Sequence, residues 1–259
     1  MSAWDHFLTR VEPHDHLVQF YDVDDDLLVK KVGRYLFEGW KAGQGLLVVA
    51  EPERNVAIAE QLGALGMNTV AAAALGRLVF LDAAESLAQL TSQGPPDQIR
   101  FDALIGGAVR DLKTRHPRLR AYGEMVGVLW RRGQSAAAEK IEEFWNRTMQ
   151  ASAVSLFCAY PIDVFGKEFD IRAVGQILSA HTHVLPTGRD GEIGNAVDRA
   201  MAEILGRSAD SLKKVIHTYF RPARAAVPNA ESQILWLRSN LPQYAEEILT
   251  RARQYYTAN

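Results

Sequence analysis

The chain has 259 residues, with 29 basic and 31 acidic side chains and a formal charge of −2. Hydrophobic residues make up 47% and charged residues 23%, enough to bury a full core without disulfide staples, which excludes a disordered chain or a disulfide scaffold. A near-neutral charge balance gives no reason for whole-molecule attraction to nucleic acid or an anionic membrane, and the single cysteine, Cys158, suits a reducing cytosol.

No apolar run approaches the roughly 18 residues of a membrane span. The start, Met1-Ser2-Ala3-Trp4-Asp5-His6, lacks the basic and apolar regions of a secretory signal. The expected location is therefore cytoplasmic, with no membrane partner.

Residues 24–40 have helical spacing, with three aspartates in the first turn, where the helix dipole favours negative charge. Leu46-Leu47-Val48-Val49-Ala50 is a continuous apolar run of the kind that suits a strand covered on both faces. A turn at Glu51-Pro52-Glu53-Arg54 leads into a helix reaching about Leu65, which Gly66 ends. The pattern then recurs in kind: a strand at 78–82, a helix at 83–90, a Gly-Pro-Pro loop and a helix over 99–115. A strand follows at 119–124 with apolar continuation over 126–130, then a helix at 136–151, a strand at 154–160 and a helix at 169–178. Strands alternating with helices of this length predict an α/β fold with a mostly parallel sheet flanked by helices.

Composition breaks around Pro186 to Gly194, which marks a linker over 187–194 between a domain at 1–186 and a helical module at 195–259. Within that module, helices are expected at 195–205, 208–220, 230–240 and 243–256, with prolines 222, 228 and 242 at the breaks.

An α/β sheet invites a search for phosphate loops. The only Gly-Lys pair, Gly166-Lys167, has Pro161 where a P-loop needs glycine, and Glu168 follows the lysine. After the strand at 46–50 the turn carries Glu51 and Glu53, which oppose an anion. No G-x-S-x-G elbow occurs. The seven histidines form no HExxH pair or His/Cys cluster in sequence, and His181 and His183 have no apparent third partner. No enzyme activity, metal or cofactor is expected.

Five stretches in order carry a resemblance: His16-Leu17-Val18-Gln19-Phe20-Tyr21-Asp22, Gly76 to Ala83, Arg120 to Val126 with Leu129-Trp130, Glu142 to Asn146, and Ser155 to Pro161. Over about residues 12–186 the chain resembles the MEDS family, the sensory domain named after methanogen and methylotroph proteins and the dichloromethane-response regulator. The resemblance implies a RecA/KaiC-like α/β core that has lost its phosphate loop, and a sensory role for which small hydrocarbon or chlorinated-hydrocarbon derivatives are proposed ligands. One departure stands out: the family commonly carries a histidine shortly after the first long strand, whereas this chain reads Glu53-Arg54-Asn55.

Ligand-binding candidates follow from where side chains fall on these elements. Glu124 ends a strand, and ligands of open parallel sheets bind beyond the carboxyl ends of strands; its bland alternatives are a solvated strand-end acid or pairing with Arg120. Glu51 opens the turn after the first long strand. Cys158 and Tyr160 are two apart on one strand and share a face, although a free cysteine is commonly core. His16, Phe20 and Tyr21 precede the first long helix, and histidine can bond a ligand. On the helix at 136–151, Trp145 lies on the buried face with Ile141, Phe144 and Thr148, while Glu142 and Asn146 fall on its boundary. Trp130 is a core residue or a ligand platform.

In the helical tail, residues 205–224 carry Arg207, Lys213, Lys214, Arg221 and Arg224 against Asp210. DNA contact is possible there but is not the favoured reading. The favoured one is a non-enzymatic sensory protein that binds a small signal or a regulatory protein and relays its state through the tail, as a homo-oligomer. The alternatives are a transcription regulator and a degenerate RecA-like nucleotide-binding protein.

Overall fold

A computed structural model of the chain describes residues 7–22, 25–187, 191–206, 208–219 and 227–258. Six strands, β1 (His16–Phe20), β2 (Gly45–Ala50), β3 (Leu78–Asp82), β4 (Leu119–Gly123), β5 (Val154–Tyr160) and β6 (His183–Leu185), form one sheet. Its order is β3-β2-β4-β5-β1-β6, with β2–β3, β2–β4 and β4–β5 parallel. The α/β expectation holds. Strands β2, β4 and β5 are buried at every position, as a parallel sheet covered on both faces requires.

The helices between the strands are α1 (Asp25–Lys41), α2 (Pro52–Ala64), α3 (Thr69–Ala74), α4 (Ala83–Leu90), α5 (Gln98–Lys113), α6 (Met125–Arg131), α7 (Ser135–Ala151) and α8 (Ile171–Ala180). Short polar caps start several of them. Asp82 accepts the amides of Ala84 and Glu85 at 2.7 and 3.0 Å, and Asp97 accepts that of Arg100 at 2.9 Å, satisfying donors that a helix start leaves orphaned.

Four elements differ from the sequence reading. β1 and β6 were not expected as strands: β1 interleaves His16 and Gln19 with apolar residues, and β6 has only 3 residues. α3 is a single alanine-rich turn-and-a-half. α6 replaces the expected apolar continuation of the preceding strand, because a run as short as Met125 to Trp130 has no periodicity that separates strand from helix.

The chain divides into two compact units. Unit one takes the described residues up to 18 and from 25 to 161. Its core includes Leu47, Val49, Phe101, Trp145, Leu156 and Phe157, all without solvent exposure. Arg120 is buried here with its guanidinium donating to the carbonyls of Leu8 and Tyr35 at 2.8 and 2.7 Å and to Gln44 at 3.1 Å, over the Tyr35 ring. Helix α6 presses closely on β5: a Cβ at Gly127 would stand 2.7 Å from the Ala159 carbonyl oxygen. Gly127→Ala is therefore expected to destabilise unit one by about 1–3 kcal/mol through overpacking against backbone. Gly63→Ala in α2, where a Cβ meets nothing within 4 Å, is expected to be neutral or to stabilise by about 0.5–1 kcal/mol. Urea midpoints of the two variants make the comparison.

Unit two takes 19–22 and the described residues from 162 onward. After α8 and β6 come α9 (Glu192–Leu205), α10 (Ser208–Tyr219), α11 (Asn229–Asn240) and α12 (Pro242–Thr257), close to the four helices expected. α9 packs along α12, burying Val197, Met201, Ile248 and Leu249. Arg238 donates to the carbonyls of Phe165 and Gly166 at 3.0 and 2.8 Å, and Arg253 pairs with Asp163. α9 begins at Glu192, inside the stretch read as linker.

Candidate functional site

Two polar constellations lie inside unit one. The first is at the carboxyl ends of β2 and β4. Glu124, which follows β4, has no solvent exposure, and its carboxylate accepts the Glu51 amide at 3.0 Å and the Arg54 Nε–H at 3.0 Å. Its partner is thus Arg54 on the first turn of α2, not Arg120. Burial raises the Glu124 pKa above the ordinary carboxylate value, while Arg54 and the Glu51 amide pull it back. Glu51 in turn pairs with Arg131 at the end of α6. Asn55 donates to the carbonyls of Ala50 and Leu81 at 3.0 Å each, fixing the turn between β2 and its neighbour β3.

This geometry changes the meaning of the acids. In a nucleotide-binding α/β protein, amides at the helix start after the strand receive a phosphate. Here the amide at that place receives the protein's own carboxylate, with an arginine completing the neutralisation.

The second constellation is built by β1, α7 and β5. His14, at φ 72°, donates its backbone amide to Val154, and Asp15 accepts from Leu156, so β1 enters beside β5 with His16 near Cys158. His16 Nε2 lies 3.4 Å from Cys158 Sγ and 3.3 Å from Glu142 Oε2. Cys158 Sγ lies 3.9 Å from the same carboxylate oxygen, and the Tyr160 hydroxyl donates to Glu142 Oε1 at 2.7 Å. Asn146 Oδ1, one turn beyond Glu142 on α7, lies 3.0 Å from His16 Nδ1. An amide oxygen can only accept, so Nδ1 carries the proton of this bond and Nε2 faces the thiol and the carboxylate. The Trp130 ring packs edge-on against Tyr160 at 5.6 Å.

His16, Glu142, Cys158 and Tyr160 are all buried. Burial pushes the Glu142 pKa up to about 7, against the opposing bonds from Tyr160 and Cys158. The Cys158 thiol and Tyr160 phenol are raised well above their usual values, first by burial and then by Glu142, so both are neutral donors at physiological pH. The Tyr160→Phe variant is expected to remove one bond to the carboxyl and cost about 1–2 kcal/mol, read from denaturant unfolding. Chemically, the arrangement offers an imidazole nitrogen, a thiol sulfur and a carboxylate oxygen to one point, a set able to hold a metal ion.

Of the residues singled out in sequence, His16, Glu142, Asn146, Cys158 and Tyr160 converge, with Trp130 against them. Glu51 and Glu124 form the other constellation. Trp145 is core: its ring packs on Phe101, and its Nε1 has no hydrogen-bond partner among the described residues. Phe20 and Tyr21 are buried in unit two, where Phe20 stacks edge-on with Phe169 at 5.1 Å. Sequence reading missed Arg54 and Arg131, whose role shows only once α2 and α6 are placed. It also saw no His/Cys cluster, because His16 and Cys158 are 142 residues apart in the chain.

Two open grooves lie elsewhere. One of about 710 Å³ runs between α4 and α5, lined by Glu85, Gln89, Ser92, Arg100 and Leu104. Another of about 380 Å³ runs along α5 and α7 beside Asp102, Arg110 and Arg147. Neither is lined by a residue expected to bind a ligand. In the helical tail, Lys213 pairs with Asp198 at 3.1 Å; Arg207, Arg221 and Arg224 lie outside the described residues. No described helix is long and apolar enough to cross a membrane.

A comparison with curated proteins gives no match. A family profile, described as the methanogen/methylotroph, DcmR sensory domain (MEDS), matches residues 15–182, a span that includes both constellations. The chain belongs to the MEDS sensory family.

Proposed function

We propose that this protein is a non-enzymatic cytoplasmic sensor. Unit one reads a small signal, hydrocarbon-like or otherwise, or a regulatory protein partner, and the helical tail relays the state by association with a second copy or with that partner. The observation that carries this reading is the buried constellation of His16, Glu142, Asn146, Cys158 and Tyr160. Polar groups taken from water into a core cost stability unless fully bonded, and perturbed carboxyls concentrate at functional sites. A carboxyl poised near neutrality changes its protonation when a neighbour changes, and α7 carries that change along its length. The carboxylate of Glu124 in the anion position supports recognition without nucleotide turnover.

A ligand acts as a signal only if it binds one conformation better than another. Thermal unfolding in the presence of small organic compounds, divalent cations and nucleotides tests the proposal. A true ligand at about 100 times its Kd adds about 2.7 kcal/mol, a rise of roughly 5–10 °C for a chain of this size. Sedimentation of the same samples is expected to show a change in association. If nucleotides alone raise the melting temperature, the degenerate nucleotide-binding reading replaces this one.

A further inference from the structure

We infer that His16 Nε2, Cys158 Sγ and Glu142 Oε2 form a binding site for a divalent metal ion of the zinc class. The inference rests on the reading of this constellation as the sensor's recognition element and names the chemistry it takes.

Three independent features of the site point this way. The first is spacing. Metal–ligand bonds of about 2.0–2.3 Å at tetrahedral angles separate ligand atoms by about 3.3–3.6 Å. The observed separations are 3.3 Å for nitrogen to oxygen, 3.4 Å for nitrogen to sulfur and 3.9 Å for sulfur to oxygen. One ion placed among the three would need only a small inward movement of Cys158.

The second feature is ligand chemistry. A thiol, an imidazole and a carboxylate are the mixed donor set of zinc and its neighbours, whereas magnesium and calcium prefer oxygen alone. Binding converts the thiol to a thiolate: the S–H bond breaks, its electron pair goes to the metal and its proton leaves to buffer. Where Glu142 carries a proton, that proton is released too. The coordinated groups then place a 2+ ion against two anions in a buried site, so the negative charges are neutralised where they are otherwise costly.

The third feature is support behind each ligand. The imidazole Nδ1 bonds to Asn146 Oδ1 at 3.0 Å, which presents Nε2 with its lone pair forward. The carboxylate's other oxygen, Oε1, is held by Tyr160 at 2.7 Å. Metal-bound histidines and carboxylates are oriented by partners of this type. All five residues come from β1, α7 and β5 of unit one, so the site sits on rigid elements. A purely hydrogen-bonded core would also account for the bonds from Tyr160 and Cys158 to Glu142, and the metal titration below separates the two readings.

The experiment uses the full chain, reduced and stripped with a chelator, then titrated with Zn²⁺ against a chromophoric competitor and, separately, with Co²⁺. One equivalent of tight binding is expected, with release of the thiol proton, read with a pH indicator in weak buffer. Co²⁺ should give a sulfur-to-metal charge-transfer band and the visible intensity of a tetrahedral site. Cys158→Ser should abolish that band. His16→Gln and Glu142→Gln should remove stoichiometric binding, and Asn146→Ala should weaken it about 10–100-fold.

Absence of stoichiometric Zn²⁺ and Co²⁺ binding by the folded wild-type chain overturns the inference, and that measurement needs no variant. A charge-transfer band that survives in a folded Cys158→Ser variant overturns it as well. The sensory reading fails separately: metal bound as described, with no change in association and no ligand acting on the bound form, leaves the metal site standing and removes the sensor. Conversely, a small organic compound that stabilises the chain, with no metal bound, keeps the sensor and removes the metal.

Discussion

Glu124→Ala is expected to destabilise the fold by about 3–5 kcal/mol, one of the two largest effects of any single substitution considered for this chain. The pair it breaks is enclosed: Glu124 has no exposure and Arg54 is 9% exposed. Removing one member of a buried pair leaves the other charged and unsolvated, and that residual charge is most of the cost. Arg54→Ala is expected to fall in the same range, because it leaves the carboxylate with only the Glu51 amide. The two losses are not additive. In the double variant Glu124→Ala, Arg54→Ala, neither charge is stranded, so the coupling read from a double-mutant cycle should be several tenths to about 3 kcal/mol in favour of the pair. Urea unfolding followed by tryptophan fluorescence provides all four corners. A Glu124→Ala loss below about 1 kcal/mol would mean the pair is solvated, and the account of a self-filled anion position would go with it.

The second large effect is a pH dependence. Burial pushes the Glu142 carboxyl up to about 7 in the folded chain, against an ordinary value of 4.5. Its folded-state affinity for the proton exceeds the unfolded one, so its stabilising contribution is fully present below pH 4.5 and is lost as pH rises through about 7. A shift of this size corresponds to roughly 3 kcal/mol. With a chelator present to keep metal out, the wild-type chain should lose stability relative to Glu142→Gln across that window, and the variant's own profile should be flatter. Glu124 titrates in the same sense, but it is common to both chains and cancels in the difference. Parallel profiles for wild type and variant between pH 4.5 and 7 would show that Glu142 is solvated and ionised throughout.

The parallel sheet and the positions of its central strands were legible because β2 is a continuous apolar run, and β4 and β5 are mostly apolar apart from Arg120 and Ser155. Helix α7 was legible to the residue face: Ile141, Phe144 and Trp145 are buried and Glu139, Glu143 and Arg147 exposed, as the helical period requires. Glu142 is fully covered because the strands behind α7 carry polar groups at that height, which a single helix cannot reveal. β1 escaped notice for the same reason. Its His16 and Gln19 read as loop polarity, yet both are buried. The constellation around His16 joins residues from the first strand, a mid-chain helix and the fifth strand, and no local spacing announces it. Each member was identified singly, by strand parity for Cys158 and Tyr160 and by helical register for Glu142 and Asn146. Arg54 was passed over because its significance lies in a carboxylate 70 residues away. Glu51 and Glu53 near a missing phosphate loop read as repulsion in sequence; in the fold the bound anion is Glu124, brought in from the end of β4.

The central claim is that the buried constellation of β1, α7 and β5 is where this protein receives its signal. The most direct test compares the melting shift that a stabilising compound or cation produces in the wild type with the shift in Tyr160→Phe and Glu142→Gln. The account predicts a shift of several degrees in the wild type that shrinks in Tyr160→Phe and vanishes in Glu142→Gln, while both variants remain folded. Equal shifts in all three chains would place recognition outside this constellation and contradict the account.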